Sequence, residues 1–257
     1  MDKKDEIVQN WLPRYTGTPL DEFGEYILLV NFANYVETFA AENRCSVRGQ
    51  NNPMQTATSS DGITIINFGI GSPNAATVMD LLSAVKPKAC LFLGKCGALK
   101  EYIKPGNFIL PIGALREGSA SVHYFPPEVP ALPSFNLQKT VAQIINRHEL
   151  EYYTGTVYST NRRVWEHDVK FKEYLTNIRA AGIDMETSTI FLVGFANHIP
   201  KGALLLVSDN PMLPEGIKTD KSDAIVTERF LDLHLQIGVE ALRDIKSSGQ
   251  SVKHLKF

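Results

Sequence analysis

Tyr26-Ile27-Leu28-Leu29-Val30-Asn31 opens a series of short apolar runs, each too brief for a buried helix and each closed by a polar or glycine-bearing turn. Ile63-Thr64-Ile65-Ile66-Asn67-Phe68, Ala89-Cys90-Leu91-Phe92-Leu93-Gly94, Phe108 to Ile112, Thr154 to Tyr158 and Ala203 to Val207 take the same form. β-Branched and aromatic runs of this length read as strands. Between them lie stretches of helical character: Ala33 to Asn43, Ser72 through Leu82, Leu137 to Asn146, Thr187 to Asn197 and Asp223 to Ile245. Ser72 suits a helix N-cap and Pro73 a first helical residue. In the last helix Ile225, Phe230, Leu233, Ile237 and Leu242 fall near one face. Alternating strands and helices predict an α/β fold: a single domain with a mixed central β-sheet flanked by helices.

The 257 residues fit one large α/β domain, and 44% hydrophobic residues supply a sizeable core. Repeats, linkers and low-complexity segments are absent from the sequence. A formal charge of −2 argues against a broad nucleic-acid surface. No run approaches the ~18 apolar residues of a membrane span. The first residues, Met1-Asp2-Lys3-Lys4-Asp5-Glu6, are charged and lack an apolar signal core. Cys45, Cys90 and Cys96 show no C-x-x-C spacing, which predicts a reducing, cytoplasmic setting. The histidines form no H-E-x-x-H pattern, so neither a metal nor another cofactor is expected.

Ile183-Asp184-Met185-Glu186 closes one apolar segment, and Val207 gives way to Ser208-Asp209-Asn210-Pro211. Glu186 and Asp209 therefore fall at strand ends, where open α/β sheets place ligands. A carboxylate there can bind a diol or hold a proton for a leaving group; the competing use is a helix cap or loop charge. Asn67-Phe68-Gly69-Ile70-Gly71-Ser72-Pro73 puts glycines between a strand and a helix N-terminus, suited to an anion or a sugar, or simply to a tight turn. Leu93-Gly94-Lys95-Cys96-Gly97-Ala98-Leu99 is not a P-loop. Its glycines suit close approach to a flat ligand, and Cys96, with only Lys95 as a basic neighbour, is not expected to be a catalytic thiolate. Arg116 is placed to fix a carboxylate or phosphate, or else to pair with Glu117. The polar cluster from Tyr158 to Glu166 contains Asn161 and Trp165; it suits stacking on an aromatic ring, or a capped loop with a half-buried Trp.

Taken in order, Gly-Ile-Gly-Ser-Pro, Gly-Lys-Cys-Gly-Ala-Leu, Ala-Leu-Arg-Glu-Gly-Ser, Ile-Asp-Met-Glu and Val-Ser-Asp-Asn-Pro resemble the nucleoside phosphorylase and nucleosidase superfamily across Tyr26 to Leu242. Arg14-Tyr15-Thr16-Gly17-Thr18-Pro19, Leu28 to Phe32, Ile183 to Thr187 and His234 to Gly238 are similar to the branch that hydrolyses AMP. The resemblance implies a nucleoside phosphorylase-like catalytic domain over 26–257. It also implies an N-terminal segment over 1–25 that reaches toward a neighbouring subunit, with no room for the regulatory domain of longer bacterial forms. By the same resemblance Glu186 binds the ribose hydroxyls, Met185 packs beneath the sugar, and Asp209 donates a proton to the purine nitrogen at position 7. Asn31, Cys96, Gly97, Asn161, Trp165 and Ser208 are the further substrate-binding candidates. Arg48 falls near where related enzymes send an arginine into a neighbouring subunit's site. The implied partners are AMP and further copies of the chain, in a dimer-based assembly up to a hexamer.

Phosphorylases of this superfamily carry a Gly-Asp-Pro-x-Arg turn after the first strand and an Arg on the strand before the Gly-x-x-Gly segment. Asn31-Phe32-Ala33-Asn34 and Phe92 take those places here. Gly17-Thr18-Pro19-Leu20 precedes the strand and continues into Asp21, so it does not replace the turn. A phosphate nucleophile would be poorly stabilised without those cations, and water is the expected nucleophile. Asp209 then needs a pKa raised by burial. The 5′-phosphate of AMP is left to Arg14, Arg48, Lys95 and Arg116. The alternatives are a phosphate-dependent purine or uridine nucleoside phosphorylase and a nucleotide sensor without turnover.

Overall fold

The computed structural model describes residues 3–249, 251 and 252. The run at 26–30 forms β1 (Tyr26–Val30), every residue of it buried. It pairs in parallel with β3 (Ile63–Asn67) on one side and β4 (Ala89–Ala98) on the other, and β2 (Gln55–Thr58) borders β3 in antiparallel register. Beyond β4 the sheet curls through β7 (Gly182–Asp184), β6 (Tyr152–Ser159), β5 (Phe108–Arg116) and β8 (Lys201–Asp209). β8 then returns to pair in parallel with β4. These strands close into a ring, from which β1, β3 and β2 extend as an open flap. The sheet is mixed, as the alternation of apolar runs predicts: β4–β7 and β5–β8 are antiparallel, β5–β6 and β6–β7 parallel.

Helices cover both faces. On one, α1 (Lys3–Thr16), α3 (Ser72–Leu81) and α6 (Thr187–Ala196) share a core with Ile27, Phe68, Phe92 and Leu205. On the other, α2 (Ala33–Asn43), α4 (Phe135–Arg147) and α7 (Asp220–Ser248) pack on Leu28, Leu91 and Leu204. A smaller cluster joins α5 (Val169–Asn177) to Tyr158, Trp165 and Ile183. Strand residues alternate between the two cores with the period of two that a pleated sheet imposes. α6 is apolar nearly all round and buried nearly all round, as such a helix must be. α7 starts on a Thr219–Ser222 capping box and stops at Gly249 in the left-handed region.

Three elements carry no strong sequence signal. α1 is mostly polar and contains Pro13, and it is held by Val8 and Leu12 sinking into the core. β2 is a short edge strand and α5 is short and mixed in character. The start of α3 also differs from expectation. Gly71, at φ 98°, takes the cap position, and Ser72 enters the helix and donates to Asn161 Oδ1 at 2.9 Å. β5 runs on past Ile112 to Arg116, because a register shift between Pro111 and Gly113 absorbs the proline that would otherwise break the ladder.

One buried polar contact ties α2, α7 and β8 together. His234 is fully buried, and its Nε2–H donates to the Leu204 carbonyl at 3.0 Å. Nδ1 then accepts from the Tyr35 hydroxyl at 2.9 Å. Burial pulls the imidazole pKa down to about 4, so the ring sits neutral in the core.

Candidate active site

The ring of strands brings the two acids singled out by sequence to one cavity. β4 is the shared neighbour: Gly97 lies opposite Ile183 of β7 on one side and opposite Asp209 of β8 on the other. At Gly97 the β4–β8 register slips, so Ser208 is the extra residue. Its hydroxyl lies 3.2 Å from the Cys96 carbonyl and 2.5 Å from Asp209 Oδ1. Bulges of this kind re-aim a side chain at a strand end, and here Asp209 lines the cavity.

Asp184 and Glu186 divide the roles open to an acid at a strand end. Asp184 closes β7 and does the capping: it accepts from Thr187 N at 2.8 Å, Thr187 Oγ1 at 2.5 Å and Ser159 Oγ at 2.6 Å. Glu186 occupies the cap position of α6 but makes no capping bond there. Its carboxylate instead accepts from the Gly71 amide at 2.6 Å, at the start of α3, and from its neighbour Met185 N at 3.3 Å. The glycine turn at 69–71 thus presents its backbone donor to Glu186.

The cavity has a volume of about 150 Å³ and opens to solvent. Asn31, Lys95, Cys96, Gly97, Trp165, Met185, Glu186, Ser208 and Asp209, all expected from sequence, line it. Asn31 is pinned by donation to the Gly69 carbonyl at 2.7 Å. Trp165 is buried with its ring edge-on to Phe171. Phe92 does not reach the cavity; it is fully buried against Phe68. Gly94 likewise serves the core, since an added Cβ would lie 2.4 Å from the Phe92 ring.

Other expected residues lie elsewhere. Asn161 is a tether, accepting from Ser72 and donating to the Glu117 and Gly118 carbonyls. Arg116 turns to the carbonyls of Ser121, Phe125 and Pro126 and closes that loop; Glu117 takes Thr160 instead of pairing with it. Arg48 pairs with Glu22 at 2.5 Å beside β2. Arg14 is exposed in the last turn of α1. Of the four cations named for a phosphate, the chain brings Lys95 to the cavity. Phe32, Ile70, Arg162, Arg163, Glu166 and Lys218 also line it. Arg162, Arg163 and Glu166 belong to the polar cluster ending β6, whereas Lys218 sits in a stretch with no distinguishing pattern.

Burial sets the electrostatics. Glu186 is pushed up to about 8, first by burial and then by the nearby Asp184 carboxylate, against the Gly71 and Met185 amides. Asp209 is also raised, by burial first, with the Ser208 hydrogen bond and Lys218 opposing. Burial holds the Cys96 thiol well above its ordinary range, so it is no nucleophile. Among the described residues no cluster of three or more His, Cys, Asp or Glu side chains is placed to hold a metal, and no helix is long and apolar enough to cross a membrane. Two carboxyls of raised pKa and the Trp165 ring thus share one cavity.

This ring of strands with its acids at β7 and β8 places the chain in a known group: it belongs to the phosphorylase superfamily, whose family model matches residues 25–241. Within it, the chain is similar to the crystal structure of AMP nucleosidase from Bacteroides thetaiotaomicron VPI-5482, with 49% identity, a TM-score of 0.85, and coverage of 96% of this chain and 100% of that one. AMP nucleosidase of Escherichia coli K12 is 28% identical over 96% of this chain, which spans 60% of that relative's length. Uridine phosphorylase from Vibrio fischeri ES114 shares the fold at 22% identity, with a TM-score of 0.79 over 88% of this chain and 93% of that one.

Proposed function

We propose that the chain hydrolyses the N-glycosidic bond of AMP to adenine and ribose 5-phosphate. The observation that carries this reading is the pairing of Glu186 and Asp209 in one cavity, with the pKa of both carboxyls raised. Glycosidic cleavage passes through an oxocarbenium-like transition state. Adenine leaves poorly until its ring is protonated, so a carboxyl kept protonated by burial suits Asp209 as general acid to the purine nitrogen. Glu186, anchored to the Gly71 amide, binds the ribose 2′- and 3′-hydroxyls, with Met185 beneath the sugar. Trp165 supplies an apolar wall for the base.

Water is the nucleophile in this reading. Phe92 is fully buried in the core and offers the cavity no cation for a phosphate nucleophile. Asn31 is committed to the Gly69 carbonyl. The strong likeness to AMP nucleosidases points the same way. A homo-oligomer in which Arg48 serves a neighbouring site also belongs to this proposal.

The test is chromatography of the purified protein with AMP, with and without inorganic phosphate. Adenine and ribose 5-phosphate released without added phosphate support the proposal. Turnover that depends on phosphate and yields a sugar 1-phosphate makes the protein a phosphorylase. AMP bound without adenine release makes it a sensor.

A further inference from the structure

Lys95 and Lys218 both line the cavity, and both reach back to the same atom. Each ammonium nitrogen lies 2.9 Å from Oδ1 of Asp223 in the first turns of α7. Lys95 is nearly buried, with 6% of its side chain exposed; it also donates to Thr227 Oγ1 at 2.6 Å and lies 5.0 Å over the Phe32 ring. Lys218, 23% exposed, sits 6.0 Å over the same ring. Asp223 does not line the cavity, whereas both lysines do. Two ammonium groups face one carboxylate, which leaves a net positive charge beside a site that also holds two carboxyls of raised pKa.

We propose that Lys95 and Lys218 form a subsite for a phosphate group, and that Asp223 is an internal anion whose hold on the two lysines that group takes over. A phosphate dianion neutralises both ammonium groups where a carboxylate neutralises one, and charge-assisted bonds to its oxygens replace those to Oδ1. Thr227 keeps Lys95 in place during the exchange. Under the AMP hydrolysis reading, on which this source of the group rests, the phosphate is the 5′-phosphate of the substrate. Lys218 and Asp223 then determine the preference for a nucleotide over a nucleoside. Burial lowers the Lys95 pKa while Asp223 opposes that, which shows how closely the lysine depends on an anionic neighbour.

The test is calorimetric binding of AMP, adenosine and inorganic phosphate to Asp209→Asn, which is expected to slow turnover, alone and combined with Lys218→Met or Asp223→Asn. Lys218→Met is expected to weaken AMP about tenfold or more, the loss of a charged hydrogen bond, relative to adenosine. Asp223→Asn is expected to tighten AMP several-fold relative to adenosine, and inorganic phosphate to compete with AMP. Shifts that are equal for AMP and adenosine, together with phosphate binding that responds to neither substitution, overturn the proposal. Phosphate binding that responds to both substitutions, with AMP and adenosine bound alike, supports the subsite and makes free phosphate its ligand. Thermal melts of each variant confirm that the fold is intact. Adenine release by the unmodified protein is assayed separately, so failure of AMP hydrolysis is distinguished from failure of the lysine subsite.

Discussion

The Gly71 amide donates to the Glu186 carboxylate at 2.6 Å, joining the first turn of α3 to the strand end at β7 across 115 positions of sequence. A helix N-terminus favours a negative charge, yet burial and Asp184 prevail and hold the carboxyl pKa at about 8. Ribose hydroxyls donating to Glu186 favour its ionised form. Glu186→Gln is therefore expected to lower kcat/KM for AMP by about 10²-fold or more, some 3 kcal/mol of lost charge-assisted bonding. It should also remove the acidic limb of the pH profile that Glu186 ionisation creates. Steady-state adenine release from pH 5 to 9 measures both.

The same raised pKa makes a stability prediction. Folded Glu186 titrates near 8 against an ordinary 4.5, so the native state holds the extra proton between those values. Its contribution is present in full below about pH 4.5, declines as pH rises, and is lost above about 8. Urea melts of the unliganded protein should show this decline, and Glu186→Gln should flatten it. An unchanged slope in the variant would mean that Asp184 or Asp209 carries the proton.

Asp209→Asn keeps size and removes the transferable proton. Turnover should fall by roughly 10²–10⁴-fold while the melting temperature holds or rises, since a buried carboxyl of raised pKa has been neutralised. Near-normal turnover would mean that another group protonates the base.

His234 predicts the opposite pH dependence from Glu186. Its folded pKa of about 4 lies below the ordinary 6.5, so its contribution is present above 6.5 and is lost as pH falls toward 4. Acid unfolding should be steepest in that interval. NMR of the imidazole should find it neutral at pH 5; a titration near 6.5 would mean that the Tyr35–His234–Leu204 contact opens in solution.

Phe92→Arg tests whether one residue separates hydrolysis from phosphorolysis. The side chain lies in the core against Phe68, not in the cavity, so the substitution buries a charge with no partner. Severe loss of expression or melting temperature is expected, with no phosphate-dependent activity gained. Phe92→Ala should fold at a cost of about 3–5 kcal/mol, measured by urea denaturation.

The sequence makes the strands and long helices legible because their apolar runs repeat with periods that physical packing requires. Ile183-Asp184-Met185-Glu186 and Ser208-Asp209 could be placed at strand ends for the same reason. Closure of the ring could not be read: it depends on β8 pairing with β4 and β5 at once, a long-range arrangement with no local signature. The division of labour between Asp184 and Glu186 was hidden too, because either acid can cap a helix. Arg116 shows the limit for cations. Its position at a strand exit suits an anion, but the three loop carbonyls that occupy it come from residues up to ten positions away. Lys218 lies before α7 among residues of no periodicity, and only the fold brings it beside Lys95.

Closure of the strands also changes how the sheet meets its surroundings. An open sheet offers two borders on which another extended chain can add, and each is a route to aggregation. Here β8, which would be a terminal strand, is stitched to β4, and the part that β5 leaves uncovered is met by side chains and backbone at the start of α4. Ser134 and Gln138 bond the amides and carbonyls of Lys201 and Ala203 as a neighbouring strand would. The four residues of β2 form the sheet's outer margin, and there the Arg48 backbone exchanges two hydrogen bonds with Thr56, at 2.8 and 3.0 Å, and covers its middle. Among the described residues the margin left to strand addition is therefore short and partly covered, on the side of the sheet away from the ring that holds the two acids.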